Sequence, residues 1–87
     1  MSAGPHDVEL LRAQARASSI SALTRLGKQL LVGEGAPAAP AKGVEVLEEA
    51  ALRGDAEAHR HLSVCAAWGV GCPRDFARAL NHLQLAA

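Results

Sequence analysis

The side chains most able to do chemistry lie in the second half of the chain: His59, His61, Cys65, Cys72 and His82. Imidazoles and thiolates are zinc ligands, and His61 and Cys65, four residues apart, would share one face of a helix. Four soft ligands are therefore present in principle. However, His59 and His61 would point in different directions, and no ligand spacing recurs. Cys65-x6-Cys72 matches neither a redox CxxC pair nor a zinc ribbon. The expectation is no metal and no cofactor: half-exposed histidines and a small buried or turn cysteine. The carboxylates of "EVLEEA", Glu45, Glu48 and Glu49, fit the solvated face of a helix better than a general acid–base pair. Arg53-Gly54-Asp55 spells an integrin-type tripeptide, but no export signal accompanies it. There is no G-x-S-x-G, P-loop or H-x-D arrangement, so no catalysis is expected from this chain itself.

Composition narrows the partners. The 87 residues, 49% of them hydrophobic, suffice for one small domain, which at this size buries roughly 60–65% of its unfolded surface. Nine basic residues balance nine acidic ones with no basic run, which argues against nucleic acid or an anionic membrane as a partner. The opening "MSAGPHDVELL" lacks the charged and apolar regions of a secretory signal, and nothing approaches the ~20 apolar residues of a membrane span. A soluble, cytoplasmic protein with reduced cysteines is expected.

The elements that must position these side chains emerge when the chain is aligned with itself. A shift of 36 residues, without gaps, sets Ala22–Ala51 on Ala58–Ala87 with nine identities. They are Ala22/Ala58, Leu26/Leu62, Gly33/Gly69, Gly35/Gly71, Pro37/Pro73, Ala41/Ala77, Leu47/Leu83, Ala50/Ala86 and Ala51/Ala87. Some alanine matches follow from composition, but the G-x-G-x-P block and the two leucines do not. The chain therefore contains an internal repeat.

Each unit reads as two helices around a glycine turn. Ala58, Leu62, Cys65 and Ala66 form one stripe of a 3.6-residue period, and Gly69 follows where a helix end needs a left-handed residue. Asp75 is suited to N-cap the next helix, which carries Ala79, Leu80, Leu83 and Ala86, while Pro73 sits in the turn. The first unit uses Leu26, Leu30 and Gly33 in the same way. With Ala39 in place of Asp75 it lacks a cap worth about 1 kcal/mol, a loss that Pro40 at the first helical position partly offsets. Helices are predicted near Asp7–Ala17, Ser19–Val32, Pro40–Leu52, Asp55–Trp68 and Asp75–Ala86. Small residues at Ala22, Gly27, Ala50, Ala51, Ala58 and Ser63 would let them approach closely.

The combined pattern, A-x3-L-G through G-x-G-x-P-x-D-(aromatic) to A-A and a following G-D turn, resembles the Sel-one-like repeat, a relative of the tetratricopeptide repeat. The second unit matches at Ala58, Leu62, Gly69, Gly71, Pro73, Asp75, Phe76, Ala79, Ala86 and Ala87. The first matches at Ala22, Leu26, Gly27, Gly33, Gly35, Pro37, Ala50, Ala51, Gly54 and Asp55, and departs at Leu30, Ala39, Pro40 and Gly43. Those departures predict a second helix that starts late or frays. The resemblance implies an all-α, right-handed αα-hairpin solenoid of about two and a half repeats: residues 1–6 disordered, 7–18 a capping helix, 19–54 the first repeat and 55–87 the second. In that frame Arg53-Gly54-Asp55 is the inter-repeat turn.

The resemblance also implies a non-enzymatic adaptor that holds a partner protein or peptide on the concave surface lined by the first helix of each hairpin. The exposed concave positions would be Thr24, Lys28, Leu31 and Val32, then Arg60, Val64, Ala67 and Trp68. Trp68 is either a rigid anchor for the partner or a tryptophan packed across the hairpin end. An alternative is the N-terminal repeat segment of a larger bacterial enzyme, such as an iron- and 2-oxoglutarate-dependent prolyl-hydroxylase-like oxygenase. Ala87 falls where a family member would continue into another hairpin. The last helix, with Phe76, Leu80, Leu83 and Leu85 but only Arg78 charged, is expected to self-associate as a two-fold homodimer.

Overall fold

Two glycines stop two helices in the same manner. In the computed structural model, which describes residues 8–34 and 38–86, Gly33 (φ 77°) and Gly69 (φ 73°) take the left-handed conformation that a side chain would resist. Gly33 N–H donates to the Gln29 carbonyl at 2.8 Å, and Gly69 N–H to the Cys65 carbonyl at 2.8 Å. The next residues, Glu34 and Val70, donate to those same two carbonyls. Ala39 N–H then reaches the Leu30 carbonyl, and Asp75 N–H the Ala66 carbonyl, both at 2.8 Å. Each of these three bonds in the first turn thus has a counterpart 36 residues on.

Five helices make up the described residues, with no strand: α1 Val8–Ser18, α2 Ile20–Val32, α3 Pro40–Leu52, α4 Ala56–Trp68 and α5 Phe76–Ala86. Ser19 caps α2, its Oγ accepting from Ala22 N–H at 3.0 Å. Asp55 caps α4, accepting from Glu57 N–H at 3.3 Å, and Asp75 accepts from Arg78 N–H at 3.1 Å at the start of α5. Each helix packs on its chain neighbours, and α2 also touches α4. The residue extents, 42 × 23 × 15 Å, describe an elongated body.

The core runs between the helices: Val8 of α1, Leu23, Leu26 and Leu30 of α2, Val44, Val46, Leu47, Ala50 and Ala51 of α3, and Ala58, Leu62 and Cys65 of α4. The span of α3 is the predicted Pro40–Leu52, but the late or frayed start read from the repeat pattern needs correction. Ala39 offers no side-chain cap, yet the helix begins at Pro40, neither late nor frayed. Gly43, a departure from the repeat pattern, is a packing residue. A methyl group on it would meet the Gly27 carbonyl at 2.9 Å, and one on Gly27 would meet Leu47 Cγ at 2.6 Å. Close crossing of α2 and α3 at this glycine pair offsets the roughly 1 kcal/mol that a mid-helix glycine costs.

Ion pairs add a second fastening for α1. Arg12 Nε lies 2.8 Å from Glu49 and Arg12 Nη1 lies 3.4 Å from Glu45, while Arg16 Nη2 donates to Glu49 at 2.9 Å. Glu49, expected on a merely solvated face, is therefore a structural anion. The Arg16 and Arg12 hydrogen bonds hold its carboxyl down to about 2 against the opposing effect of burial. Residues 1–6, Asp7, Gly35, Pro37 and Ala87, on which several expectations rest, lie outside the described residues. Among the described residues no helix is long and apolar enough to cross a membrane.

Candidate functional site

The caps that start α2 and α4 and the glycines that stop them place these two helices side by side with a groove between. At one end, Ser21, Thr24, Arg25 and Lys28 of α2 face Asp55, Glu57 and His61 around a cavity of about 250 Å³. At the other end, Lys28, Leu31 and Val32 face His61, Val64, Cys65 and Val70 around one of about 400 Å³. Lys28 and His61 line both, so the two cavities adjoin along one groove, with polar side chains around the first and mostly apolar ones around the second.

Of the residues expected on the concave surface, this groove takes Thr24, Lys28, Leu31, Val32 and Val64. Thr24 corrects the expectation of exposure: it is 6% exposed, and its hydroxyl donates to Asp55. The carboxylate that caps α4 thus also holds α2, a role that a two-unit pattern could not reveal because it crosses from one unit to the next. Arg60 lies outside the groove lining and reaches Glu57 at 2.6 Å. Leu31 and Ala67, expected exposed, are half-buried, Leu31 packed against the core. Trp68 is 76% exposed, so it is not packed across the hairpin end. It follows Val64 by four residues and continues its face past the apolar end of the groove.

The cysteines take the roles expected of them, Cys65 buried and Cys72 half-buried, both free thiols. Burial pushes the Cys65 thiol up to about 11, with Cys72 contributing, so it holds its proton and is a poor nucleophile. Among the described residues, no three ligand-type side chains converge on a point that would hold a metal ion.

One polar contact was not legible in the sequence. His59 of α4 and His82 of α5 bring their Nδ1 atoms to 3.0 Å, with ring centroids 5.2 Å apart. One Nδ1 must donate while the other accepts, so the two imidazoles hold complementary tautomers. They lie in a second cavity of about 260 Å³ with Glu48, Ala51, Leu52 and Leu62, on α3, α4 and α5. Burial, then His59 and Arg78, hold the His82 imidazole below its usual range, against the raising effect of Glu48. The only sequence hint was a histidine on each of two adjacent helices. Their separation of 23 residues matches no motif, because it depends on how the hairpin closes.

A scan against protein-family models finds no match to this chain, and a search of curated proteins finds no similar one.

Proposed function

We propose that this chain is a non-enzymatic protein-interaction module, an adaptor that holds a partner protein or peptide in the groove between α2 and α4. The observation that carries the reading is the groove itself: exposed apolar side chains at Val32, Val64 and Trp68 beside the adjoining cavities between α2 and α4. Large, rigid or apolar anchors beside a cleft are what an interface core requires.

The repeat reading belongs to the same proposal. The 36-residue recurrence of turn hydrogen bonds supports two like units; the reading makes them part of about two and a half Sel-one-like repeats in a right-handed solenoid, with 7–18 as cap, 19–54 and 55–87 as units, and α2 and α4 as successive inner helices. A second copy of the chain is the proposed cover for α5, whose Phe76, Leu80, Leu83 and Leu85 are all exposed.

The test is partner capture with the groove blocked. Val32→Asp and Val64→Asp replace exposed side chains, so both variants should melt like the parent while losing whatever partner the parent retains. Retention of the same partner by both variants would contradict the assignment.

A further inference from the structure

The charges around the groove are two of each sign but unequally engaged, and that difference specifies a ligand. Four charged residues line its polar end, Arg25, Lys28, Asp55 and Glu57, but the two anions are already engaged. Asp55 accepts from the Thr24 hydroxyl and from Glu57 N–H. Glu57 accepts from Arg60 Nη2 at 2.6 Å and stands 3.6 Å from His61 Nε2. Arg25 and Lys28 have no ion-pair partner among the described residues. Spaced i, i+3 on α2, they present two free cations on one face. The other end offers Leu31, Val32, Val64 and Val70, with no charged side chain beyond the Lys28 shared by both ends.

We infer that the groove takes an extended peptide segment in which an acidic side chain, bound by Arg25 and Lys28, lies two to four residues from a bulky aliphatic one seated among Leu31, Val64 and Val70. The inference rests on the groove reading above and adds the chemistry of the occupant. The spacing follows from the helix: Arg25 to Val32 spans seven residues, about 10 Å of axial rise, which an extended chain covers in about three residues. The extended form follows from the succession of cavities. The cavities follow one another along the groove, and a strand inserts alternate side chains into successive cavities.

The test is selection from a random peptide library on the immobilised chain, then titration of synthetic peptides made from the enriched sequences. Enriched peptides should carry Asp or Glu two to four residues from Leu, Ile, Val or Phe. Their affinity should fall at least tenfold in Arg25→Glu/Lys28→Glu, and also on raising salt from about 50 to about 500 mM, because partly exposed charges are screened over that range. Val64→Asp should abolish binding, with thermal melts confirming that each variant is folded. Enriched peptides without acidic bias, lost in Val64→Asp but indifferent to Arg25→Glu/Lys28→Glu, would overturn the charge inference and leave the groove standing. No enrichment, or peptides indifferent to both sets of variants, would overturn the groove reading as well.

Discussion

The two hairpins, α2–α3 and α4–α5, share a turn and differ in their surroundings. Their hydrogen bonds coincide at an offset of 36 residues, from Gly33/Gly69 to Ala39/Asp75. Their crossings do not: the first closes on Gly27 and Gly43, whereas the second has Ser63 and Ala79 at the equivalent positions, all four buried. Nor does their cover. Val44 and Leu47 of α3 are 6% and 0% exposed, while Leu80 and Leu83, at the same positions of α5, are 57% and 51% exposed. Local chemistry thus sets how each pair of helices turns and meets. Among the described residues the first hairpin has neighbours on both sides, α1 and α4, while the second packs on the first through α3 and, more lightly, α2, and this cover decides what becomes core.

Breaking the joint between the hairpins should have the largest effect. Gly71, at φ 72° in the second turn, sits against the start of α3, where a methyl group would lie 2.4 Å from the Pro40 carbonyl oxygen. Gly71→Ala therefore combines a left-handed strain with a backbone clash, and should cost about 3 kcal/mol of stability in urea denaturation. An unchanged midpoint would mean that the second turn does not rest on the first hairpin.

The crossings give the next contrast. Gly27→Ala forces a methyl group onto the fully buried Leu47, and should cost about 2 kcal/mol. At the equivalent position Ser63→Ala only removes a hydroxyl that donates to the Arg60 carbonyl of its own helix, so its cost should stay below about 1 kcal/mol. A cost for Gly27→Ala no larger than that for Ser63→Ala would show that the first crossing has room for the methyl group.

A smaller effect should appear in acid and belong to the first hairpin's cover. Glu49 titrates near 2 when folded and in the ordinary carboxylate range when unfolded. Its contribution is therefore present above about pH 4.5 and is lost as pH falls toward 2. Because Arg16 and part of the cluster are solvated, the contribution is put at about 1 kcal/mol. Glu49→Gln should lower stability at pH 7 by that amount and flatten this limb of the stability–pH curve. A limb of equal height in the variant would remove Glu49 as its cause.

Least costly to the fold is a change on the uncovered helix. Leu83→Glu alters an exposed side chain and should shift the melt by less than about 0.5 kcal/mol, yet weaken any concentration-dependent association seen by sedimentation. A parent chain that stays monomeric at millimolar concentration would contradict the second-copy cover for α5.

The sequence was most informative where one residue acts on its own backbone. Ser19, Gly33, Asp55, Gly69 and Asp75 mark helix ends because capping and left-handed turns are local, and each end falls within about a residue of its expected place. It was least informative where helices meet. Thr24 was expected in solvent, and its bond to Asp55 depends on α2 and α4 lying side by side. Gly43 resembled a defect and serves the α2–α3 crossing. The Arg12–Arg16–Glu49 cluster and the His59–His82 contact join residues 37, 33 and 23 apart, separations that acquire meaning only through the rotation of one helix against another. Trp68 shows the limit from the other side. Its type and position admitted an anchor or a filler equally, and its exposure in the fold excludes the filler.

The most direct test of the α2–α4 groove is to titrate a library-selected peptide into the isotopically labelled chain and map the amide resonances that move. The account predicts shifts concentrated in Ser21–Val32 and Asp55–Val70, with Lys28, Val64 and the Trp68 indole among the largest. Shifts concentrated instead on α5, around Leu80, Leu83 and Leu85, would contradict it and place the binding surface on the uncovered helix.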